Sequence, residues 1–132
     1  MRKILLITFL VVVSIQTLSA QPTAEKNKNN TAVLRHVVMF KFQDKATPAD
    51  IKKVEEAFRA LPGKIPLIKD FEWGMNNSPE KLNQGLTHCF LLSFKSLEDR
   101  DAYLVHPAHK AFGEILKPYF DKATVLDYWA HK

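Results

Sequence analysis

The seven residues Y-L-V-H-P-A-H, Tyr103 to His109, bring a phenol and two imidazoles together with only apolar residues and one proline between them. A neutral imidazole accepts a proton at pH 7, and a phenol can donate a hydrogen bond to a developing oxyanion. Such a pair suits proton abstraction beside a carbonyl. Pro107 fits the first position of a helix, which puts His109 at the third, near the positive end of the helix dipole, where imidazolium is disfavoured. His109 also shares helical spacing with Phe112 and Leu116, so it is expected to face the interior. His106, just before the proline, is placed to cap that helix, with catalysis as its alternative role. His36 and His88 each sit on an apolar strand face, where a hydrogen-bonded core histidine is the ordinary outcome.

Other chemistries find less support. His106 and His109 are three residues apart, but no carboxylate or cysteine cluster accompanies them, so no metal site is expected. The sequence has no Gly-x-Ser-x-Gly, no CxxC and no phosphate-cradling glycine loop among its four glycines. Cys89, the single cysteine, lies in an apolar run and reads as a small hydrophobe, and an intramolecular disulfide is impossible.

Several elements must position these residues. Leu34 to Phe42 alternates, with Leu34, His36, Val38, Phe40 and Phe42 on one face. Thr47-Pro48-Ala49-Asp50 carries the N-cap and first-turn signals of a helix, which Ile51, Val54, Phe58 and Leu61 continue until L-P-G. Phe71, Trp73 and Met75 alternate in a second strand, and Thr87 to Phe94 forms a third. Ser96 caps a helix running toward Val105. A further helix begins at Pro107 and is ended or kinked by Pro118, and residues 123–130 make a fourth strand. The order βαββαβ predicts an α+β, ferredoxin-like fold with a four-stranded antiparallel sheet. Helices cover one sheet face. The apolar residues left on the other predict an identical subunit laid face to face.

Ahead of this domain, Met1-Arg2-Lys3, the apolar run Ile4 to Ile15 and T-L-S-A read as a signal peptide over residues 1–20. The run is short for a bilayer span, so export to periplasm or medium without a lasting membrane anchor is expected. Residues 21–33 are polar and form a flexible linker. The remaining 17 basic and 14 acidic residues leave a net charge of +3 with no basic stripe, which disfavours nucleic-acid binding.

Five segments together carry a family resemblance: L-R-H-V-V-M-F-K-F, the W-G of Trp73 and Gly74, G-L-T-H, Y-L-V-H-P-A-H with the F-G of Phe112 and Gly113, and L-D-Y at 126–128. On them the chain resembles the stress-responsive α/β-barrel (Dabb) domains over residues 34–130. The resemblance implies a homodimeric α/β barrel working without a cofactor. It also implies a small apolar or aromatic ligand, and cyclase- or lyase-like chemistry with His109 as general base and Tyr103 holding the reacting oxygen. His36, Phe40, His88, Phe90 and Phe112 would line the pocket. A non-catalytic stress-response or ligand-binding module with structural histidines is the alternative, and a monooxygenase on a similar barrel a more distant one.

Overall fold

The computed structural model describes residues 32–131. The expected signal peptide and residues 21–31 of the linker lie outside the described residues. Val33, at the linker's end, accepts a 2.9 Å hydrogen bond from the Ala130 N–H.

The chain forms β1 (Leu34–Phe42), α1 (Pro48–Arg59), α2 (Leu61–Lys64), β2 (Asp70–Met75), β3 (His88–Phe94), α3 (Leu97–Val105), α4 (Pro107–Leu116) and β4 (Phe120–Trp129). The strands make one antiparallel sheet in the order β2-β3-β1-β4, the ferredoxin-like arrangement. Strand β1 is central and alternates buried with half-buried residues along its whole length.

Helix starts follow their local chemistry. The Thr47 hydroxyl accepts from the Asp50 N–H while the Asp50 carboxylate accepts from the Thr47 N–H, a reciprocal cap. Ser96 caps α3 through the Asp99 N–H. The short α2 was not expected at L-P-G, where a helix end was read instead. Pro62 there occupies a first-turn position that needs no N–H donor, so the turn forms without penalty. Strand β4 starts at Phe120, three residues before the expected start. Pro118 halts α4, and the chain pairs at once with Phe42 across a register shift between Lys41 and Phe42.

The helices pack on the sheet face that carries His36, Val38, Phe40, Phe90 and Leu92. Phe58 of α1 is the hub: its ring stacks on Phe90 at 4.1 Å and lies 4.7 Å from Phe112. On the opposite face Val37, Met39 and Leu91 are half-buried, while Leu126 and Tyr128 of β4 are exposed. Among the described residues no helix is long and apolar enough to cross a membrane.

Candidate functional site

A cavity of about 320 Å³ opens between the sheet and helices α3 and α4. Its polar end carries His36, Tyr103, His109 and Asp127; its apolar end carries Phe40, Phe58, Phe112, Phe120 and Val125. Pockets for small molecules run from about 300 to 1,000 Å³, so this one suits a compact ligand.

The α3–α4 joint supplies two of the polar groups. The His106 backbone N–H bonds the Tyr103 carbonyl to end α3, while its ring Nδ1 accepts from the Ala108 N–H at 3.1 Å to start α4. One residue thus serves both helices. Pro107 occupies the first position of α4, and His109 the third. His109 Nδ1 lies 3.1 Å from the Leu104 carbonyl, which can only accept, so Nδ1 holds the hydrogen and Nε2 keeps its lone pair. Burial is the largest influence on this imidazole and holds its pKa below the ordinary 6.5; His36 and His106 push the same way, and the Leu104 hydrogen bond opposes them.

Tyr103, 1% exposed, packs its ring 4.4 Å from His109 and 5.7 Å, edge on, from His36. Burial raises its phenol pKa well above the usual 10, so the group is a donor at neutral pH. His36 is buried on β1, directly opposite Asp127 of β4, and its Nδ1 donates to the Asp127 carboxylate at 2.6 Å. The second oxygen of Asp127 accepts from Arg100 of α3, whose Nε also bonds Asp101 at 2.7 Å. The sequence reading missed both Asp127 and Arg100. The signal available was an acid on the face that Ala123, Val125 and Trp129 otherwise make apolar.

Of the expected pocket residues, His36, Phe40 and Phe112 line this cavity with Tyr103 and His109. His88 and Phe90 do not. Phe90 is completely buried beneath Phe58, and His88 sits at the other end of the sheet, opposite Phe40 in the β1–β3 register. There its Nε2 meets Glu55 of α1 at 2.9 Å and its Nδ1 meets the Thr87 hydroxyl at 2.8 Å. Cys89 is half-buried on the opposite sheet face, and burial raises its thiol pKa. Among the described residues, no three His, Cys, Asp or Glu side chains are grouped to hold a metal ion.

The chain matches the Stress responsive A/B Barrel Domain family over residues 34–130. It is similar to olivetolic acid cyclase of Cannabis sativa, 30% identical over 99 residues that cover 75% of this chain and 98% of the cyclase. It is also similar to the stress-response A/B barrel domain-containing protein HS1 of Arabidopsis thaliana, 37% identical over 72% of this chain and 87% of that protein. Among solved structures, a dimeric protein of ferredoxin-like fold from Bacteroides fragilis superimposes with a TM-score of 0.63 at 29% identity, covering 74% of this chain and 96% of the other.

Proposed function

The chain belongs to the stress responsive A/B barrel family, and from that membership we propose that it is a homodimer binding a small neutral carbonyl compound and moving a proton on it without a cofactor. One observation carries the reading: the His109 imidazole, whose Nε2 keeps its lone pair, the buried His36 and the Tyr103 phenol line one cavity whose remaining wall is apolar apart from Asp127. In the proposed reaction the ligand's carbonyl oxygen accepts from the Tyr103 hydroxyl. His109 Nε2 then removes the acidic proton from the adjacent carbon, and the resulting enolate is free to close a ring or expel a leaving group. His36, oriented by Asp127, packs edge-on against the same phenol and borders the ligand. The cyclase among the relatives supports chemistry of this type.

Charge favours a neutral substrate. The Arg100 guanidinium is committed to Asp101 and Asp127, and Asp127 itself borders the cavity, so among the described residues the site's lining offers an anion no free guanidinium or ammonium. The apolar face of Val37, Met39, Leu91 and Leu126 is the surface we assign to the second copy, and the dimeric relative of the same fold supports it.

The test is deuterium uptake at the carbon between the carbonyls of small neutral β-dicarbonyl compounds in heavy water. The protein should accelerate uptake beyond buffer, and Tyr103→Phe and His109→Ala should each slow it by about 10²-fold or more, the usual scale of a general-acid or general-base contribution. Full retention of acceleration in both variants refutes the assigned roles.

A further inference from the structure

The α3–α4 joint turns on His106. Its backbone N–H donates to the Tyr103 carbonyl and its carbonyl accepts from the Lys110 N–H, each at 3.1 Å, so its backbone closes α3 and opens α4. Its ring adds the cap, with Nδ1 accepting from the Ala108 N–H at 3.1 Å. An amide N–H only donates, so Nδ1 must carry a lone pair and the capping ring is neutral. Helices α1 and α3 are capped by the hydroxyls of Thr47 and Ser96, which accept at any ordinary pH. An imidazole accepts only while unprotonated. Protonation would turn Nδ1 into a donor facing the Ala108 donor, at the helix end where the dipole already disfavours a cation.

The surroundings offer such a charge no partner. His36 and His88 are each paired with a carboxylate, Asp127 and Glu55, whereas among the described residues His106 has none. On α4 it shares the first turn with Lys110 and with His109, whose protonation it opposes. On α3, Tyr103 is a neutral phenol, and Arg100 and Asp101 are paired with each other. The joint in turn holds the cavity's polar groups together. His109 is the third residue of α4, and its Nδ1–H reaches back to the Leu104 carbonyl of α3 at 3.1 Å, which leaves Nε2 free. Tyr103, in the last turn of α3, keeps its ring 4.4 Å from that imidazole. Loosening the first turn of α4 moves His109 away from both.

We propose that His106 is a positioning residue and the acid switch of this site: with its ring neutral it keeps His109 against Tyr103, and with its ring protonated it releases the first turn of α4. The consequence for activity rests on the proton-transfer reading, whereas the response of the joint to acid rests on the joint alone. His106 does not line the cavity and acts through His109. Acid therefore stops the site twice, by protonating the base and by unseating it.

Amide hydrogen exchange at Ala108, followed by NMR on the full chain without ligand and expressed relative to the unstructured rate, tests the switch apart from any reaction. Protection in the wild type should be about fivefold lower at pH 5 than at pH 7.5, the scale of one lost N-cap. His106→Asn, whose amide oxygen caps without titrating, should keep its protection at both pH values, and His106→Ala should be weakly protected at both. Deuterium uptake into a neutral β-dicarbonyl compound reads the consequence. Below neutrality it should fall toward about 10²-fold per pH unit in the wild type, where both imidazoles titrate, and about 10-fold in His106→Asn, where His109 titrates alone. At neutral pH, His106→Asn should recover the rate that His106→Ala loses. Wild-type protection at Ala108 that does not change with pH, or that changes equally in His106→Asn, overturns the switch. A pH-dependent cap in a protein that accelerates no uptake upholds the joint's response to acid and refutes the proton-transfer reading. The wild type alone carries the first measurement, so the switch is tested even where a variant does not fold.

Discussion

Replacing Asp127 with Asn tests whether β4 holds the site's buried histidine. In the wild type the Asp127 carboxylate accepts from His36 at 2.6 Å and from Arg100, and its side chain is 27% exposed while that of His36 is 5% exposed. A hydrogen bond to a charged group stabilises by roughly 1.5–3 kcal/mol and a neutral one by roughly 0.5–1.5 kcal/mol, so the substitution costs about 1–2 kcal/mol at His36. Arg100 adds little, because it keeps Asp101 at 2.7 Å. At about 4–8 °C per kcal/mol for a domain near this size, Tm should fall by about 4–16 °C. Asp101→Asn is the control. That side chain is 66% exposed, and an exposed pair is worth about 0.2–1 kcal/mol. The assays are thermal unfolding by near-UV circular dichroism and nitrogen NMR of the His36 ring, which should carry its hydrogen on Nδ1 in the wild type and lose that preference in Asp127→Asn. Equal Tm losses in the two variants, with an unchanged ring tautomer, would refute the role given to Asp127.

Three other outcomes follow from the same structure. Deuterium uptake should rise with pH through a midpoint below the ordinary histidine value of 6.5, because only neutral His109 has the accepting lone pair; a midpoint above 6.5 contradicts the burial argument. The linkage has a definite sign: the folded-state pKa lies below the unfolded one, so protonation favours the unfolded chain and this group lowers stability as pH falls below 6.5. Leu126→Lys should turn a dimer into a monomer by light scattering, since Leu126 pairs with Val37 in the register of the apolar outer face; an intact dimer would move the interface elsewhere.

The strands and helix starts were legible because each has a local cause. Period-two alternation marks β1 and β3, and Thr47, Ser96 and Pro107 mark three helix beginnings. Grouping His36 with His88 failed for a reason that no local pattern contains. Both histidines lie on the inner face of their strands, but β1 and β3 are antiparallel with Phe40 opposite His88, so His36 and His88 are four strand positions apart, or about 13 Å at 3.3 Å per residue. Alternation tells the face and says nothing of the distance along it; register does that. Asp127 was missed for a related reason. An acid in an edge strand is ordinarily solvent-facing, and only pairing with His36 gives it a buried partner.

A residue list also could not separate a packed core from a cavity, since Phe40, Phe58 and Phe112 suit either. What leaves the space is small side chains set against them. Ala123 of β4 and Gly113 of α4 both line the cavity, and a Cβ added at Gly113 would meet nothing within 4 Å. Glycine inside a helix costs about 0.8–1 kcal/mol relative to alanine, and no neighbouring atom in this structure requires it. The helix forgoes that stability at a position where an added methyl group would enter the cavity's open space. On the proposed function, that open space is the room a ligand would occupy beside Tyr103 and His109.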